Sequence, residues 1–140
     1  MRKILIASHG RLAEGIISSL ELLAGTSAGV TGINAYVEGS DIDAELAAFV
    51  QQLEESDQVF AFTDLYGGSV NQKVTKVFLE NQVAATVIAG FNFPLLLEVL
   101  LAPADLSDEQ LTEIVEKCRQ EMTLTHLTEP VTVNDDDEFF

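Results

Sequence analysis

Ile4-Leu5-Ile6-Ala7-Ser8-His9-Gly10 decides the fold. The apolar residues follow one another without alternating with polar ones, the pattern of a strand buried on both faces of a parallel sheet. The run stops at a histidine and a glycine, and a helical pattern begins directly after it. A strand from Arg2 to Ser8 therefore delivers one imidazole to its carboxyl end, where open α/β sheets keep their ligand crevices. The other histidine, His126, lies far along the chain in a polar stretch.

Working outward, Leu12, Ile16, Leu20 and Leu23 recur at helical spacing, and Gly25 is placed to stop that helix in a left-handed conformation. Val30 to Val37 reads as a second strand, weakened by Gly32 and Asn34. Glu38-Gly39-Ser40-Asp41 supplies a turn and a cap for a helix over Ile42 to Leu53. Gln58 to Thr63 forms the third strand and ends at Asp64; Leu65-Tyr66-Gly67-Gly68 is a loop, and Ser69 can cap a helix running to about Glu80. Val83 to Ala89 is rich in β-branched residues and forms the fourth strand. Gly90-Phe91-Asn92-Phe93-Pro94 turns into a helix from Pro94 to Leu101, and a last helix opens at Asp105-Leu106-Ser107 and ends near Met122. A short β-prone Val131-Thr132-Val133 and the tail Asn134 to Phe140 follow.

Strands alternating with helices at this spacing predict an α/β fold: an open, mostly parallel four-stranded sheet with helices on both faces. No Pro/Ser-rich linker or repeat divides the 140 residues, so residues 1–140 are expected to form one domain, with a core of about 1–122 and an extension over 123–140. A chain of this length buries roughly 68–70% of its unfolded surface. The apolar runs are too short for a membrane span, and there is no signal-peptide pattern, so a cytoplasmic protein without direct membrane insertion is expected.

Lys and Arg number 7 against 23 Asp and Glu, for a net charge of −16. Such a field repels nucleic acid and anionic lipid and favours a positively charged protein partner. The single cysteine, Cys118, falls on the apolar face of the last helix and reads as packing.

Right-handed crossovers bring every strand's carboxyl end to one edge of the sheet. Ser8-His9-Gly10, Asp64 to Ser69, and Gly90 to Pro94 thereby open side by side. A lone strand-end histidine is ordinary. A carboxylate on the next strand gives it a purpose: Asp64 can accept a hydrogen bond from one ring nitrogen, fix the tautomer and leave the other nitrogen nucleophilic. Gly67-Gly68-Ser69 adds a tight turn, backbone N–H groups and a hydroxyl at a helix N-terminus, a phosphate-sized anion site. Gly10, Gly67, Gly68 and Asn92 are the further candidates for contact with the anion. The combination suggests transient phosphorylation of the imidazole.

Rival chemistries fit less well. No GK[ST] element makes this a nucleotide loop, and His9 with Asp64 is too small a set for a catalytic metal. A flavin-phosphate loop does not follow the first strand, and a receiver domain's carboxylates are replaced there by Ala7-Ser8-His9. Phe91, Phe93 and Leu95-Leu96-Leu97 read as core or subunit interface.

At these residues the sequence resembles the mannose-family enzyme IIA domains of the bacterial sugar phosphotransferase system. The resemblance rests on Ile6-Ala7-Ser8-His9-Gly10 with Leu12 to Gly15, on Asp64 to Ser69 with Asn71, and on Ala89 to Leu95, and covers about residues 1–122. It implies that His9 accepts a phosphoryl group on Nε2 from the phosphocarrier protein HPr. The group would pass to a IIB component coupled to a IIC/IID membrane pair, with no metal or other cofactor. It also implies that Asp64 holds Nδ1 and that Ser69 bonds the phosphoryl oxygens. Many members have proline where this chain has Val70. The lack of a fused linker and IIB domain makes a separate IIB protein the expectation. Relatives dimerise by exchanging a C-terminal strand, for which Val131-Thr132-Val133 is the candidate in a homodimer. Two other functions remain open: the related subunit that serves dihydroxyacetone kinase, and a regulatory module that senses phosphorylation without passing it on.

Overall fold

A computed structural model describes residues 1–128. The elements are β1 (Arg2–His9), α1 (Leu12–Ala24), β2 (Val30–Ala35), α2 (Ile42–Gln51), β3 (Gln58–Thr63), α3 (Ser69–Glu80), β4 (Ala85–Ala89), α4 (Phe93–Leu101) and α5 (Asp108–Arg119). The four strands form one sheet in the order β2-β1-β3-β4, and every pairing is parallel. The chain leaves β1 toward β2 on one side and then crosses to β3 on the other. The carboxyl ends of β1 and β3 thus flank the switch point, where this class of sheet opens its crevice.

Alternation along β1 divides the interior into two layers. Leu5 and Ala7 face one way and pack with Ile33, Leu46, Phe49, Val74 and Phe78 under α2 and α3. Ile4 and Ile6 face the other way and pack with Phe60, Phe62, Leu20, Leu96 and Val99 under α1, α4 and α5. Cys118 is buried in this second layer, and its burial pushes the thiol pKa up, which keeps it protonated and inert.

The α/β architecture is as the sequence predicts, with several corrections at the level of elements. The buried stripe of α1 is not Leu12, Ile16, Leu20 and Leu23: Leu12 is 50% and Leu23 37% exposed, while Ala13 and Leu20 are buried. Gly32 explains the rotation. A Cβ there would lie 2.6 Å from the Ile17 Cδ1, so the missing side chain lets α1 sit close on β2 through its small and branched residues. The glycine expected to weaken β2 is the seat of a helix.

β2 stops at Ala35 rather than Val37 because Tyr36 takes φ 63, outside any strand conformation. β4 starts at Ala85 rather than Val83 because Gln82 turns at φ 54 and the Val83 N–H donates to the Phe78 carbonyl. The α2 helix ends at Gln51, and α5 is shorter at both ends than expected, opening on a Ser107–Gln110 capping box. Val131-Thr132-Val133 and the acidic tail lie outside the described residues. No helix among the described residues is long and apolar enough to cross a membrane.

Candidate active site

β1 ends in a backbone arrangement that leaves His9 little freedom. Ser8 is fully buried, and its Oγ accepts the Ala13 N–H at 2.8 Å, capping α1 from within the strand. Gly10 turns the chain at φ 61, and its N–H donates to the Ala35 carbonyl at 2.8 Å, tying β1 to the end of β2. On the other side, Ala7 is in register with Thr63, so Asp64 emerges from β3 beside His9.

Asp64 then grips the histidine twice with one oxygen. Its Oδ2 accepts the His9 backbone N–H at 2.8 Å and lies 2.8 Å from His9 Nδ1. Its Oδ1 accepts the Leu65 N–H at 3.0 Å. Burial pushes the carboxyl pKa up, but the His9 amide, the His9 ring and the Leu65 amide pull it down further, and the net value lies below the ordinary 3.8. An ionised carboxylate only accepts, so Nδ1 carries the ring proton and Nε2 presents its lone pair. The carboxylate is 11% exposed and the imidazole 39%: the holder is enclosed and the nucleophile is reachable.

Ser69 stands on the nucleophilic side, with its Oγ 3.2 Å from His9 Nε2. It does not cap α3, as the sequence suggests; it is the helix's first residue, Gly68 is the N-cap, and no side chain caps the end. The hydroxyl is therefore free for the imidazole, and the amides with which a helix begins remain without helical partners next to Nε2. The glycines act differently from expectation. The Gly67 N–H donates to Asn71 Oδ1 at 3.2 Å and the Gly68 N–H to the Leu65 carbonyl at 3.1 Å, so their amides hold the loop together. Gly67 supplies a turn at φ 75, and Gly68 supplies clearance: a Cβ there would lie 3.2 Å from Leu65 Cβ and 3.7 Å from His9 Cε1. Asn71 braces the loop from below, donating from Nδ2 to the buried Thr63 hydroxyl at 2.9 Å.

Asn92 makes no hydrogen bond to the imidazole. Its Oδ1 accepts the Leu95 N–H as the N-cap of α4, and its Nδ2 donates to the Cys118 carbonyl at 2.6 Å. Both ends of the amide fasten helices, and the side chain reads as structural.

Tyr36 was not legible as a site residue. It follows Ala35, the register partner of His9, and its ring lies 5.3 Å from the imidazole, centroid to centroid, at an angle of 32°. Its hydroxyl donates to Ser69 Oγ at 2.8 Å. Its φ of 63 costs a residue with a side chain about 1–3 kcal/mol. The position alone, one residue past a strand end on the functional edge, was the available signal.

Comparison with known proteins converges on one family. Residues 3–118 match the EIIA-man family model, described as the PTS system fructose IIA component. The chain is 30% identical over 115 residues to the PTS system mannose-specific EIIAB component of Escherichia coli (strain K12), a match covering 80% of this chain and 34% of that protein. The chain thus spans about a third of the length of the curated relatives it matches. Among solved structures, the PTS IIA protein associated with the fucose utilization operon from Streptococcus pneumoniae is 30% identical with a TM-score of 0.74, covering 88% of this chain and 92% of that one. The phosphotransferase system component EIIA from Streptococcus agalactiae is 28% identical with a TM-score of 0.72, covering 89% and 97%.

Proposed function

The chain belongs to the EIIA-man family of phosphotransferase system IIA components, and from that membership we propose that His9 is a phosphoryl relay in sugar uptake. It accepts the group from phosphorylated HPr and hands it to a IIB component. The carrying observation is the single Asp64 oxygen 2.8 Å from Nδ1, which leaves Nε2 as the unprotonated ring nitrogen beside Ser69 and the start of α3.

In the forward step the Nε2 lone pair forms the new N–P bond. The bond between phosphorus and the donor imidazole breaks, and its electron pair returns to the donor ring. The Nδ1 proton stays on His9, so the phosphorylated ring is a cation, stabilised by the ionised Asp64 that already holds it. As the phosphoryl group arrives, the Ser69 hydroxyl turns from Nε2 to a phosphoryl oxygen, and the opening amides of α3 face the same charge. Both donor and product are phosphoimidazoles, so the step is close to balanced and runs either way. Nothing in it requires a nucleotide or a metal.

Relay is distinguished from sensing by discharge. The chain is labelled with phospho-HPr, freed of the donor, and mixed with IIB proteins of mannose-family transporters. The expected result is loss of label from this chain and its appearance on a IIB protein. Label that stays on the chain with every IIB protein contradicts the relay and identifies a phosphorylation sensor.

A further inference from the structure

The phosphoryl-transfer reading leaves Tyr36 without a role, although it adopts the least favourable backbone conformation near the site. Tyr36 and Gln82 are the non-glycine residues at positive φ among those described, and Tyr36 alone of the two touches the imidazole. The left-handed turn brings the phenol ring alongside the imidazole. The residue remains 62% exposed, so core packing does not account for its placement.

The hydrogen bonds around it have a definite direction. Nδ1–H donates to Asp64, so Nε2 can only accept, and the Ser69 hydroxyl must donate to it. A serine hydroxyl has one hydrogen. With that hydrogen on Nε2, the oxygen has lone pairs to spare, and the Tyr36 hydroxyl fills one at 2.8 Å. The result is a chain running Tyr36 O–H to Ser69 O–H to Nε2.

From this geometry we infer that Tyr36 is a positioning residue for phosphoryl transfer, acting through Ser69, a role that rests on the His9 reading above. To expose the Nε2 lone pair, the Ser69 hydrogen must leave it and meet a phosphoryl oxygen as the N–P bond forms. The Tyr36 hydroxyl pins the serine oxygen while its hydrogen swings, so the donor is in place when charge develops on the transferring group. The phenol also keeps the serine from donating elsewhere. The ring, within reach of the imidazole face, favours the cationic phosphorylated form over the neutral one.

The test is a double-mutant cycle on the full chain, with phospho-HPr as donor. Tyr36→Phe keeps the ring and removes the hydroxyl. It is expected to lower the maximal rate of His9 phosphorylation by roughly 10-fold, less than the loss of a direct donor, without raising the HPr concentration needed for half-maximal rate. In a Ser69→Ala background the same change is expected to have no further effect, because the group through which Tyr36 acts is gone. A purely structural role would slow both backgrounds alike. Equal rates for wild type and Tyr36→Phe, or an undiminished loss in the Ser69→Ala background, overturn the role assigned to Tyr36 while leaving the His9 reading intact. A wild-type chain that takes no label overturns both.

Discussion

Asp64→Ala is expected to accept a phosphoryl group from phospho-HPr about 10²-fold or more slowly than the wild type, with the sheet intact. The carboxylate does three things at once. It accepts the His9 backbone N–H, fixing where the residue sits; it accepts Nδ1–H, fixing which nitrogen attacks; and it carries the charge that offsets the phosphorylated cation. Alanine removes all three. Asp64→Asn separates them, since an amide oxygen can still accept from Nδ1–H but has no net charge. It is expected to fall between alanine and wild type. Wild-type rates in Asp64→Ala would remove the residue from the mechanism.

The same carboxylate has a signature in stability. Its pKa is lowered on folding from 3.8, so its contribution is complete above that ordinary value and is lost as pH falls through the lower folded value. Urea denaturation of wild type and Asp64→Asn should show a gap that is constant near neutrality and narrows below the ordinary value. A gap that persists undiminished well below the ordinary value would mean that the carboxylate is not the ionised acceptor described.

His9→Ala is expected to abolish phosphorylation altogether. Ser69 cannot take over, because its hydroxyl has no base other than His9 Nε2 among its hydrogen-bond partners. His126, exposed in the polar stretch beyond α5, has no carboxylate bonded to it among the described residues and no helix start beside it. The label on wild type should be acid-labile and base-stable, as a phosphoimidazole is, and absent from the variant. The imidazole is partly exposed and makes its bonds through groups that other donors or water can satisfy. The variant should therefore stay folded, and circular dichroism checks this directly.

The fold was largely legible because its signals are the strongest ones a sequence carries. Uninterrupted apolar runs such as Ile4 to Ala7 and Val59 to Phe62, short and bounded by turn residues, read as buried strands, and the helical segments between them favour parallel pairing. Asp64 was legible for a related reason: it ends β3 as His9 ends β1, and parallel topology brings such ends together. What periodicity could not show was which way a helix turns when small residues set the contact, as Gly32 does for α1. Nor could it separate an asparagine that caps α4 from one that meets a ligand, since Asn92 sits on the correct edge for either. The glycine loop was correctly placed, but its amides close on Asn71 and Leu65, a matter of local geometry that composition does not encode. Tyr36 depends on one backbone angle at the end of a weak strand, and no residue pattern announces it.

The central claim is that one nitrogen of one side chain carries the phosphoryl group. Full-length protein charged by phospho-HPr and examined by phosphorus–nitrogen NMR, with the position checked by peptide mass spectrometry under basic conditions, tests it most directly. One phosphoryl group per chain, bonded to His9 Nε2 with Nδ1 still protonated, is the predicted result. A phosphoryl group on Nδ1, on Ser69 or on any residue outside this cluster would contradict it.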